Sequence, residues 1–137
     1  MRTLIVSFAV VCFAFLTSGC NLAEKYQKNN SAAQAWIQSN STRPAAVNFE
    51  GLYYSPGWGP AALNQSGNKI TGIVDFYHVN GVVSGSTAYL VLVDDDWAQH
   101  TMVLARKSPG VLAGTYSPQV PFSAQHGKPV RFDRIEN

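Results

Sequence analysis

Three adjacent carboxylates, Asp94, Asp95 and Asp96, with His100 four residues on, are the densest group of metal-ligating side chains in the sequence. Oxygen donors clustered on a turn suit a hard cation. Adjacent carboxylates do not converge on one point, however, and a calcium loop needs glycine and a distal glutamate at fixed offsets. The triplet therefore reads as a solvated hairpin tip. His78, His100 and His126 fall on separate elements without the paired spacing that zinc requires, so no metal is expected. Serine is abundant, but no Gly-x-Ser-x-Gly elbow is present. Glu50, Asp75 and Asp133 are explained as outward strand positions rather than as the paired acids of glycoside chemistry. An enzyme is not expected, and neither is a cofactor.

The aromatic residues carry more promise. Tyr53, Tyr54, Trp58, Trp97 and Phe122 fall at expected strand ends and loops, where rings anchor partners or cap a core. Lys128, Arg131 and Arg134, interleaved with Asp133, read as a solvated basic stripe. With a formal charge of +2 over 137 residues, a nucleic-acid partner has no electrostatic support.

These residues must be positioned by one domain, since 46% hydrophobic residues in 137 suffice for a single core. The first nineteen residues stand apart from it. Met1-Arg2 is a short basic start, Leu4 to Leu16 an apolar run too short to span a bilayer comfortably, and Thr17-Ser18-Gly19-Cys20 a small-residue close. This pattern resembles a bacterial lipoprotein signal peptide. The resemblance implies that residues 1–19 are removed and that Cys20 carries the covalent lipid. It also implies that the chain is held at an envelope membrane; Asn21 after the cysteine points to the outer one, facing the periplasm. An ordinary secretory leader cleaved nearby is the alternative. Cys12 leaves with the leader, so no disulfide braces the domain and packing alone must hold it.

Residues 20–47 are rich in Asn, Ser, Ala and Gln and bury little, so they read as a flexible tether. Ala23 to Gln38 favours a weak helix, but Tyr26, Trp36 and Ile37 do not complete an apolar stripe; Trp36 is expected to pack partly on the domain. Pro44 ends any such helix.

From residue 48 on, a glycine recurs after a strand-like opening: Asn48-Phe49-Glu50-Gly51, Lys69-Ile70-Thr71-Gly72, Val82-Val83-Ser84-Gly85 and Val111-Leu112-Ala113-Gly114. Each reads as a strand start that bends at its glycine. Expected strands are Phe49 to Ser55, Ala61 to Gln65, a third from Ile70 with Ile70, Val74 and Phe76 on one face, Val82 to Gly85 and Tyr89 to Val93 after an Asn80-Gly81 hairpin turn, Gln99 to Arg106, Val111 to Ser117 and Val130 to Ile135. The fold class is all-β. Seven or eight short antiparallel strands favour an up-and-down meander closed as a barrel over 48–137, with a two-sheet β-sandwich as the alternative. A barrel of this size is filled by side chains.

Gly51-Leu52-Tyr53-Tyr54, Leu63-Asn64-Gln65-Ser66-Gly67-Asn68-Lys69-Ile70-Thr71-Gly72 and Val111-Leu112-Ala113-Gly114-Thr115-Tyr116 resemble strand openings of small calycin-type barrels, the avidin-like and lipocalin-like group. No residues match the avidin pocket, so none is carried over. Ser84-Gly85-Ser86-Thr87-Ala88-Tyr89 is similar, with one extra residue and without the cysteines, to the Ser-Gly-x-x-Tyr loop of lipoprotein lysozyme inhibitors. The expected role is a lipid-anchored, non-catalytic interaction module for an envelope protein, with Trp58, Trp97, Tyr53, Tyr54, Ser84, Gly85 and Tyr89 as candidate contacts. A hydrolase inhibitor and a carrier of a small apolar ligand are the alternatives, the small ligand being the less expected partner.

Overall fold

The computed structural model describes residues 7–135, with side chains from residue 21 onward. The leader and Cys20 lie outside the described side chains. Helix α1, Ser7–Asn40, precedes eight strands: β1 Gly51–Ser55, β2 Gly59–Ser66, β3 Lys69–Val74, β4 Tyr77–Ser84, β5 Thr87–Asp94, β6 Trp97–Ser108, β7 Val111–Ser117 and β8 Lys128–Arg134. Every strand pairs antiparallel with its sequence neighbour and β8 returns to β1, which closes an up-and-down barrel. The expected barrel is therefore the one formed, and the sandwich is not.

Alternation in the strands sends one residue set inward. Ile70, Leu90, Leu92, Met102, Leu104, Leu112 and Phe132 fill the interior and are almost completely buried. Each such side chain contributes about 1.5–3 kcal/mol on burial, which is how a domain without a disulfide holds together. Connections alternate between the two ends. The turns after β2, β4 and β6 form one end, the base; those after β1, β3, β5 and β7 form the other, the mouth.

Residues 41–49 close the base. The Ala46 amide donates to the Gly85 carbonyl at 2.8 Å, the Gly85 amide to the Pro44 carbonyl at 3.1 Å, and the Phe49 amide to Gln65 Oε1 at 2.8 Å. Phe49 is fully buried, with Ala45 and Val47 packed beside it.

Two turns differ from the sequence reading. Asn80-Gly81 lies inside β4, where Gly81 pairs with both Ile70 and Leu90; the turn comes earlier, at Asp75-Phe76, because Asp75 adopts a positive φ of 55°. Phe76 is consequently exposed at the tip rather than on the core face with Ile70 and Val74. Val82 to Gly85 ends a strand instead of opening one, and Gly85 sits in the turn to β5. At the β5–β6 tip, Asp95 and Asp96 take successive positive φ values of 49° and 66° and are exposed, so two of the clustered carboxylates are there for their backbone tolerance.

The segment read as a loose tether is ordered onto the barrel. Tyr26, Asn30, Ala33 and Ile37 are spaced four, three and four apart, which aligns them along one side of α1. Tyr26 stacks on Trp97 with ring centres 5.0 Å apart. Asn30 donates from Nδ2 to the Asp96 carbonyl and accepts at Oδ1 from the Ala98 amide, both at 2.8 Å. Ala33 is buried with Val91 and Ala98, and Trp36 lies edge-on to Tyr89 and stacks on Phe122. The side chains of Ser39 and Asn40 both donate to the Trp36 carbonyl and so fold back over the last turn of the helix. The helix descends along β5 and β6 from mouth to base.

Candidate functional site

At the mouth, four rings meet that are far apart in sequence. Trp58 comes from the β1–β2 turn, Tyr77 from the first residue of β4, His100 from β6 and Tyr116 from the end of β7. The Trp58 ring centre lies 5.8 Å from Tyr77, 5.3 Å from His100 and 5.0 Å from Tyr116, each edge to face. That geometry matches the positive edge and negative face of aromatic rings and contributes beyond area burial. Phe76 stacks on the outer side of Tyr77 at 4.2 Å.

One side of the mouth is open. β1 and β8 pair only through Tyr53–Arg134 and Tyr54–Asp133, after which β1 ends and β8 continues toward the mouth with β7 alone. Between the β1–β2 turn and this free edge lies a cavity of about 620 Å³, walled by Ser55, Trp58, His100, Tyr116, Val130 and Arg131. It is large enough for a drug-sized molecule or a side chain from a partner. The exposed Arg131–Asp133 ion pair, 2.9 Å, stands on its rim and adds little to stability.

His100 is the polar centre of the site. Its Nε2 lies 3.3 Å from the Tyr77 hydroxyl, while Nδ1 is buried without a partner. Burial lowers its pKa from the ordinary 6.5, because the charged imidazolium is poorly solvated there. Burial, and then the carboxylates of Asp94 and Asp75, push the Tyr77 hydroxyl up, so it stays protonated. A folded-state pKa below the unfolded one means that the unfolded chain binds the extra proton. His100 thus supports stability fully above about pH 6.5 and progressively less as pH falls toward its lowered folded value. Thermal melts of the parent and of His100→Gln are expected to diverge in pH dependence below that point, the parent losing Tm faster on acidification.

The structure places the sequence-derived candidates apart. Trp58 is in the mouth. Tyr54 is exposed on the outer wall near it, whereas Tyr53 points inward, 2% exposed, and donates from its hydroxyl to the Phe49 carbonyl at 3.0 Å. Trp97 is occupied by Tyr26. Ser84 is buried and its Oγ accepts from the Thr42 and Arg43 amides; Gly85 is bridged to Ala45; Tyr89 lies under Trp36. Within Ser84 to Tyr89 the connection is therefore the two-residue turn Gly85-Ser86, tied to residues 42–46 with Ser86 exposed at its tip, rather than a projecting loop. Tyr77, His100 and Tyr116 were not singled out as contacts, and the available signal was an aromatic or imidazole ring at the mouth-side end of three strands. Chemically the site offers π faces, a hydroxyl and a neutral imidazole, a set that takes a flat ring or an organic cation. No family model, curated protein or solved structure matches the chain.

Proposed function

We propose that this chain is an envelope lipoprotein, anchored through Cys20, whose calycin-like barrel is a non-catalytic interaction module with the aromatic mouth as its contact surface. The observation that carries this reading is the open cavity lined by Trp58, His100 and Tyr116 beside the edge of β8 that runs past the end of β1. A ring-bearing side chain of an envelope protein fits such a site, because an aromatic anchor in a pocket supplies most of a contact's energy. Trp97 is no longer part of the contact, since Tyr26 covers it. The same cavity favours a second reading, a carrier of a small planar ligand, although the barrel interior below it is filled. The two-residue turn at Gly85-Ser86, tied down to residues 42–46, is too short to serve an inhibitor as a loop that inserts into an enzyme cleft.

A photo-crosslinking residue in place of Tyr54 tests the module. Discrete adducts with envelope proteins are expected in cells, and they should disappear with Trp58→Ala, while the Cys20→Ala form moves to the soluble fraction and loses them. Equal adducts from a crosslinker at Gln34, on the exposed side of α1, would make the mouth incidental.

A further inference from the structure

The small net charge conceals a polarised molecule. Around the base stand Arg43 in the crossing segment, Lys69 at the start of β3, Arg106 and Lys107 before the β6–β7 turn, and Arg134 at the end of β8, all exposed. Among the described residues two carboxylates, Glu50 and Asp133, lie at this end, and Asp133 is already paired with Arg131. Asp75, Asp94, Asp95 and Asp96 are all at the opposite end.

None of the five is neutralised by an ion pair among the described residues, where the sole salt bridge is Arg131–Asp133. Arg106 and Arg134 instead donate to the backbone carbonyls of Asn48 and Glu50, the latter at 2.6 Å. Those bonds fix the guanidinium groups at the base without cancelling their charge. Cations ringing one pole raise the local potential and favour a polyanion through many weak contacts. Tyr53 and Phe49 are buried, and Tyr89 near the base lies edge-on to Trp36, so none of these rings is a free stacking platform for nucleobases.

We propose that the base is a docking surface for a carboxylate-rich polymer, the peptide-and-sugar mesh of the cell wall. The choice of polymer rests on the lipid-anchor reading; the attraction to polyanions does not. Helix α1 runs from mouth to base, and Cys20 precedes Tyr26. At 1.5 Å per residue, the helix end at Asn40 lies roughly 30 Å from Cys20. An anchored molecule therefore turns its base away from its own membrane.

The full-length protein in detergent, co-sedimented with purified peptidoglycan sacculi, decides the matter. Binding is expected at about 0.05 M salt and release at about 0.5 M, where the screening length shrinks to a few ångströms. Lys69→Glu with Lys107→Glu should weaken binding by about tenfold or more. Neither lysine side chain makes a hydrogen bond or ion pair among the described residues, so an unchanged Tm is expected. Trp58→Ala should pellet like the parent. Undiminished binding of the double variant, salt-resistant binding, or capture by phosphatidylglycerol vesicles with none by sacculi would overturn the assignment. Membrane association of Cys20→Ala tests the anchor separately.

Discussion

Gly114→Ala is expected to lower stability by about 3–5 kcal/mol, a large share of the roughly 5–15 kcal/mol that holds a typical domain folded. The reason is contact between backbones. A Cβ built on Gly114 would sit 1.9 Å from the Val103 carbonyl oxygen of β6, and no rotation of a flexible side chain relieves that. Strand β7 must move away from β6, which weakens ladder bonds worth about 1 kcal/mol each and opens the packing around Leu104 and Leu112. Gly72 makes the same approach four strands earlier: its Cβ would lie 2.0 Å from the Ala62 carbonyl, and its φ of 142° adds strain for any other residue. Gly72→Ala should be at least as damaging. Gly57, where a Cβ meets nothing within 4 Å, provides the control, and Gly57→Ala should shift the urea midpoint little. Urea titrations followed by far-ultraviolet circular dichroism distinguish these cases. A Gly114→Ala midpoint equal to that of the parent would mean that close strand approach is not what these glycines permit.

These two glycines also show what can be read from a sequence of this kind. The Lys69-Ile70-Thr71-Gly72 and Val111-Leu112-Ala113-Gly114 repeats point to bent strands, and the Met102 and Leu104 alternation gives an inward face, because both signals are local and have a period of two. Local signals misplace the turn after β3. Asn80-Gly81 has the stronger hairpin chemistry, yet pairing with β3 and β5 on both sides holds it in a strand, while Asp75 accepts the positive φ. The helix stripe is hidden for a different reason. Its middle members are Asn30, which meets backbone groups, and Ala33, which meets Val91 and Ala98 by being small, so a search for large apolar residues passes over both. The mouth is the least legible part. Trp58, Tyr77, His100 and Tyr116 converge only after closure, and nothing in their spacing announces a common site.

Because the seam of α1 depends on a small residue, Ala33→Glu should release the helix from the barrel. Ala33 is 5% exposed against Val91 and Ala98, and a carboxylate there loses its water with no cation beside it among the described residues. Keeping the helix docked would cost about 2–4 kcal/mol, which equals or exceeds what the two Asn30 hydrogen bonds return at about 1 kcal/mol each. Undocking then exposes Trp36, now between Tyr89 and Phe122, and parts Tyr26 from Trp97. The expected signature is a red shift in tryptophan emission and new protease cleavage between residues 21 and 40. The β-sheet dichroism should persist, since β1 to β8 close without the helix. Ala35→Glu, the same substitution on the exposed side of the helix, should change neither reading. If Ala33→Glu resists protease like its parent, the stripe does not hold the helix. If the barrel melts along with it, α1 belongs to the same cooperative unit as the strands, and the distance between mouth and membrane becomes a fixed property of the fold.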